Sequence, residues 1–136
     1  MIKHLKAIPT KDAAGESNGR LIPIWSSAYD DYRPEQVYVT SVKPGCVKGP
    51  HLHLKRAGAF VCVHGDVSIV VRDDKGYHPI LCGDKHGYKV VHVPPGLPCA
   101  IYNVGECEAL VMNMPTPPWK HDDQDEHPVN DWTYMP

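Results

Sequence analysis

The sequence predicts an all-β fold, a double-stranded β-helix of the jelly-roll type with little helix. Fourteen prolines and eleven glycines punctuate 136 residues between short Val/Ile/Tyr-rich runs, the composition that many turns joining short strands require. No stretch repeats apolar residues at helical spacing. About ten short strands leave many edges, and closing or doubling the sheet is the usual way to hide them.

Taken in order, Met1 to Ile8 alternates loosely and reads as an edge strand ending at Pro9, which lacks a ladder donor. Asp12 to Gly19 reads as a polar loop, Arg20 to Trp25 as a short strand interrupted by Pro23, and Ser26 to Pro34 as turns. Gln36 to Lys43 is a strand by β-branched content, with Gln36, Tyr38, Thr40 and Val42 on one face and Val37, Val39 and Ser41 on the other. Ala59 to His64, the turn Gly65-Asp66 and Val67 to Arg72 read together as a hairpin. Asp73 to Gly76 and Gly83 to Gly87 read as solvated turns around a weak strand at Tyr77 to Leu81. Tyr88 to Val93, the rigid Pro94-Pro95-Gly96 turn, Cys99 to Asn103 and Cys107 to Met114 complete the strands. The last segment has no periodicity, but Trp119, Trp132 and Tyr134 carry too much apolar surface to be left in water. A single domain is expected, with edge strands and loops over 1–34, a barrel core over 35–114 and a packed tail over 115–136.

Length and charge narrow the function classes. One domain of this size buries a core without disulfide staples. A net charge of −2 without any Lys/Arg block argues against nucleic acid or a membrane surface as partner, which leaves a small ligand. Five cysteines without C-x-x-C spacing, and an N-terminus without an apolar signal segment, predict reduced thiols in the cytoplasm.

The candidate site is the run Gly45 to Arg56, which holds the only His-x-His pair. If the run is extended, His51 and His53 project side by side. Imidazole titrates near neutrality and suits proton transfer, while Lys48, Lys55 and Arg56 supply charge for an anionic ligand. The acidic run Asp122 to Glu126 reads as solvated.

Two ordered motifs resemble the cupin family: Gly45, His51, His53 and Gly65, then Pro94-Pro95-Gly96, Cys99 and Asn103. The cupin pattern carries a glutamate where this chain has Ala57 or Gly58, and a histidine where it has Cys99. His51, His53 and Cys99 are a conceivable zinc or iron set, but the absent carboxylate points to a site with no metal and no cofactor.

Within cupins the chain resembles the 4-keto-6-deoxyhexose nucleotide 3,5-epimerases of rhamnose biosynthesis and the sugar 3,4-ketoisomerases. The resemblance rests on Gln36-Val37-Tyr38, Val47-Lys48-Gly49-Pro50-His51, Pro94-Pro95-Gly96 and the run from Glu126 to Trp132. It implies His51 as catalytic base, His53 beside it and Tyr38 as acid, with Gln36 on the nucleotide and Lys48 on a phosphate. Lys55, Arg56, Cys99 and Asn103 complete the expected substrate contacts. The epimerases' lysine, aspartate and second tyrosine fall near Gly58, Ile69 and Met112, so three of their roles are vacant. The resulting expectation is a homodimeric nucleotide-sugar epimerase or isomerase. A non-catalytic cupin that binds a sugar or nucleotide sugar, and a metal-dependent small cupin enzyme, are the alternatives.

Overall fold

The computed structural model describes all 136 residues and contains eleven strands and no helix. The strands are β1 (Ile2–His4), β2 (Ile8–Lys11), β3 (Ser17–Leu21), β4 (Tyr38–Val42), β5 (Val47–His51) and β6 (Gly58–His64). They continue as β7 (Asp66–Asp73), β8 (Gly76–Gly83), β9 (Lys89–Val93), β10 (Cys99–Asn103) and β11 (Ala109–Asn113). A five-stranded sheet runs β1-β9-β6-β11-β4, and a four-stranded sheet runs β5-β10-β7-β8. All pairings are antiparallel, and the jelly roll expected from the turn-rich composition is the fold observed. No helix is long and apolar enough to cross a membrane.

Alternation along the strands builds the core. Val67, Ile69 and Val71 of β7 point inward and meet Val42, Cys62, Val91 and Val111 from the opposite sheet. Each such side chain, fully buried, stabilises the fold by roughly 1.5–3 kcal/mol before entropy is counted. The outer faces are covered by the chain's two ends. Leu5, Ile24, Trp25 and Tyr32 pack over Ala59, Val61, Val90 and Met114, with the Trp25 indole donating to the Tyr32 carbonyl at 2.9 Å. On the other side Trp132 donates to the Tyr102 hydroxyl at 2.8 Å and packs edge to face on Tyr77, beneath the Arg72 guanidinium.

Several local readings are corrected. Residues 59–72 are not a hairpin: β6 pairs with β9 and β11, whereas β7 pairs with β8 and β10. A hairpin would put both strands in one sheet, whereas the crossing sets Cys62 against Val67, Ile69 and Val71 across a shared core. Gly65 permits the crossing, with φ of +75° and no room for a Cβ, which would lie 3.1 Å from the Ala109 Cα. Pro9 lies inside β2, tolerated because β2 and β3 form a separate two-stranded ribbon in which both strands are edges. That ribbon also takes Ser17 to Gly19 out of the expected loop and ends β3 at Leu21. The weak strand expected at Tyr77 to Leu81 is the eight-residue β8, in unbroken register with β7. The turn after it is anchored, since the Asp84 carboxylate accepts the Gly65 N–H at 2.8 Å and the Tyr88 hydroxyl at 2.6 Å.

Candidate active site

A cavity of about 530 Å³ opens between the two sheets, walled by Tyr38 and Thr40 of β4, His51 at the end of β5, and Gly58 and Phe60 of β6. Leu97, Cys99 and Ile101 form another side, and Trp119 and Glu126 from the C-terminal segment complete the wall. The local sequence accounts for the approach of β5 to β10. Gly49 sits at φ +100° where a Cβ would lie 2.9 Å from the Cys99 carbonyl oxygen, so only glycine lets His51 pair opposite Cys99.

His51 and His53 do lie together, their rings stacked at 28° with centroids 6.1 Å apart. Their environments differ sharply. His51 is exposed at the cavity wall, whereas His53 is half-buried and its Nε2 lies 2.8 Å from the Arg56 guanidinium. A guanidinium only donates, so His53 Nε2 must accept. Burial, then the positive charge of Arg56, pushes His53 down to about 4, although Glu126 and Asp125 pull the other way.

Arg56 is 6% exposed and is therefore not the surface cation expected from sequence. Its guanidinium also donates to the Gln124 carbonyl at 2.9 Å. Lys55 is absent from the cavity wall. It is exposed and stands 3.8 Å from Asp123. Lys48 alone of the three cations carries a free ammonium at the cavity. The acidic run is likewise not uniformly solvated, because the Asp125 side chain is only 6% exposed. Its carboxylate accepts the backbone N–H groups of Leu54, Lys55 and Arg56 at 3.2, 2.8 and 2.9 Å, and a bond from His127. Burial opposes its charge, but those donors outweigh the burial and hold the carboxyl well below the usual range.

The Tyr38 hydroxyl accepts from the Asn113 carboxamide at 2.8 Å, and Asn113 in turn accepts the Ala59 N–H at 3.0 Å. This leaves the phenolic proton free to point elsewhere. Gln36 reaches the cavity, but its carboxamide is engaged with the backbone of Trp119, accepting the N–H at 2.7 Å. Asn103 does not reach it. Its carboxamide donates to the carbonyls of Val42 and Cys107 and accepts the Gly105 N–H, which fixes the turn after β10.

The residues do not fit a metal. No group of three His, Cys, Asp or Glu side chains is placed to hold an ion, and burial pushes the Cys99 thiol up to about 12. Of the three vacant epimerase positions, Gly58 lines the cavity without a side chain, Ile69 is in the core, and Met112 packs against the outer cluster. Sequence reasoning missed Trp119, Glu126 and Asp125. Their signal was the aromatic and acidic content of a segment too aperiodic to be placed.

Comparison with known proteins supplies the family. The family described as FdtA: WxcM-like, C-terminal matches residues 2–129. The chain belongs to this WxcM-like family. A curated relative, the probable low-salt glycan biosynthesis epimerase Agl13 of Haloferax volcanii, is 27% identical over 124 residues, 84% of this chain and 79% of the relative. Among solved structures, a dTDP sugar isomerase from Desulfovibrio desulfuricans superposes with a TM-score of 0.81 at 19% identity, covering 96% of this chain and 85% of that one. The sugar 3,4-ketoisomerase QdtA of Thermoanaerobacterium thermosaccharolyticum, in complex with TDP, gives 0.71 at 18% identity over 96% and 88%. A histidine-to-asparagine variant of QdtA, in complex with TDP-4-keto-6-deoxyglucose, gives 0.68 at 17% over 90% and 83%. The WxcM-like chain thus shares its fold with sugar isomerases across nearly its whole length.

Proposed function

We propose that this WxcM-like chain is a nucleotide-sugar epimerase or isomerase that moves a proton α to the ketone of a 4-keto-6-deoxyhexose nucleotide. The observation that carries the reading is the convergence of an exposed imidazole, His51, with a phenol held by Asn113, Tyr38, on one cavity. Relatives named for sugar isomerase and epimerase activity support it.

His51 removes the proton from the carbon next to the ketone, and the C–H electron pair moves into the carbonyl to give an enolate. An epimerase returns a proton to the opposite face of that carbon. A 3,4-ketoisomerase returns it to C4 instead, while Tyr38 protonates the C4 oxygen and takes the C3 hydroxyl proton in exchange, so that C3 becomes the new ketone. In an epimerase Tyr38 supplies the returning proton and is reprotonated from solvent. The Lys48 ammonium offsets diphosphate charge, and Trp119 offers a flat wall for a ring.

Hydrogen exchange tests this more permissively than product formation. Incubation of a 4-keto-6-deoxyhexose nucleotide with the protein in deuterated water should label the carbon next to the ketone. His51→Asn should slow labelling at least ~100-fold, the low end of general-base contributions. If nucleotide sugars bind but neither protein exchanges above buffer, the enzyme reading fails, and the vacant positions at Gly58, Ile69 and Met112 then mark a binding protein.

A further inference from the structure

We propose that Arg56 is a positioning residue that holds His53 as a neutral imidazole protonated on Nδ1, so that His53 acts as a hydrogen-bond donor to the substrate's ketone oxygen. The donor role rests on the epimerase or isomerase reading above; the tautomer does not.

The argument begins with proton inventory. Arg56 donates to His53 Nε2 at 2.8 Å, and because guanidinium has no lone pair to offer, Nε2 carries no hydrogen. The ring is neutral when its single proton sits on Nδ1, a nitrogen without a protein partner. Neither nitrogen can then serve as base: Nε2 has its lone pair engaged, and Nδ1 carries the proton. Base chemistry falls to His51, and His53 contributes an N–H aimed from a ring that lines the cavity. As the proton leaves carbon for His51, the electron pair collects on the ketone oxygen, and the Nδ1–H bond stabilises it without transferring its proton. A neutral imidazole used as an electrophile in this way has precedent in triosephosphate isomerase.

Arg56 is built to stay where it is. Its side chain is buried, its guanidinium is tied to the Gln124 carbonyl at 2.9 Å, and its own N–H is held by Asp125 at 2.9 Å. The charged or titratable groups facing His53 are Arg56, His51, Glu126 and Asp125. Arg56 makes the only hydrogen bond among them to the ring, so it selects the tautomer.

The test combines spectroscopy with substitutions at Arg56 and at His53. In ¹⁵N-histidine-labelled protein at neutral pH, His53 should show hydrogen on Nδ1 and a bare Nε2. In Arg56→Met protein, which has no donor to offer, the tautomer should become mixed or reverse. His53→Asn sets an amide N–H near the Nδ1 position and should slow labelling in deuterated water ~10-fold less than His53→Gln does. His53→Gln carries its amide out towards the Nε2 position and should lose ~100-fold or more, the scale of a lost oxyanion donor. The loss should fall on kcat rather than KM. Hydrogen on Nε2 in the wild type, or equal activity of the Asn and Gln variants, overturns the proposal. So does an Arg56→Met protein whose KM rises while the His53 tautomer stays unchanged, because Arg56 would then be binding substrate. A wild-type protein with the Nδ1 tautomer but no exchange on any nucleotide sugar defeats the enzyme reading and, with it, the donor role.

Discussion

The carboxamide of Asn113 donates to the Tyr38 hydroxyl at 2.8 Å while accepting the buried N–H of Ala59, so the end of β6 determines how a phenol is presented from β4. Because the hydroxyl's acceptor capacity is engaged by Asn113, its own proton is the part available to a ligand. Tyr38→Phe should retain the fold and lower epimerase or isomerase turnover ~100-fold or more, as removal of a general acid does. Asn113→Ala should both misorient Tyr38 and destabilise the protein by about 1–3 kcal/mol, since it strands the Ala59 N–H. Urea denaturation separates the two, because the Asn113 variant should shift its midpoint further than Tyr38→Phe, which strands one hydrogen of the Asn113 carboxamide.

The depressed His53 gives stability a signed pH dependence. Its ordinary value is 6.5 and its folded value about 4, lowered first by burial and then by Arg56. Between those values the unfolded chain binds a proton that the folded chain refuses, so stability rises with pH across the window and falls on acidification. Below about pH 4 both states are protonated and this contribution is flat. Denaturation midpoints measured from pH 7 to pH 4 should fall more steeply for wild type than for His53→Asn. His92, lowered mainly by burial, acts in the same direction but is common to both proteins and cancels in the comparison.

The barrel was legible because Val67, Ile69 and Val71, like Tyr38, Thr40 and Val42, share one face at a period of two. Which strands pair was less so. Alternation shows that β6 and β7 each have an inward face, but not that Gly65 carries the chain into the opposite sheet. The His-x-His pair was readable because extended backbone places neighbours two apart together, whereas Tyr38 came from the family resemblance. Arg56 and Asp125 were misread for a common reason. Sequence shows that a residue is charged, but its burial depends on a partner 69 positions away.

Asp125 pins the C-terminal segment to the loop that follows His53. Its φ of +52° is a conformation that asparagine tolerates, so Asp125→Asn isolates the charge without adding backbone strain. Amide exchange at Leu54, Lys55 and Arg56 should accelerate in this variant, and thermal stability should drop more than in an Asp122→Asn control. The carboxylate's folded value is depressed, so its contribution is full above the ordinary carboxylate range and is lost as pH falls through the folded value. The gap between the two variants should therefore narrow in strong acid.

A homodimer is the proposed assembly. β4 is an edge of the five-stranded sheet, and Val37 just before it and Val39 within it are 56% and 55% exposed, Val39 also bordering the cavity. An apolar edge of this kind invites pairing, and a two-fold partner can cover it. Light scattering at micromolar concentration should give twice the chain mass, and Val39→Glu should shift it towards the monomer. A monomeric wild type would contradict the assembly.

Cys99 occupies the position where metal-binding cupins carry a histidine, yet its environment gives it no ligand chemistry. Cys99 is 8% exposed, and burial alone pushes its thiol up to about 12. His53, one imidazole of a conceivable set, has Nε2 engaged by Arg56 and would have to surrender that bond to coordinate an ion. Protein purified without a histidine tag should therefore contain far less than one transition metal per chain, and added zinc should not raise its melting temperature. Cys99→Ala should keep hydrogen exchange at the substrate carbon close to wild type while costing of order 1 kcal/mol in stability for the lost sulfur contacts. Zinc or iron near one per chain, released together by substitutions at His51, His53 or Cys99, would show that these side chains rearrange around an ion and would restore the metal-dependent reading.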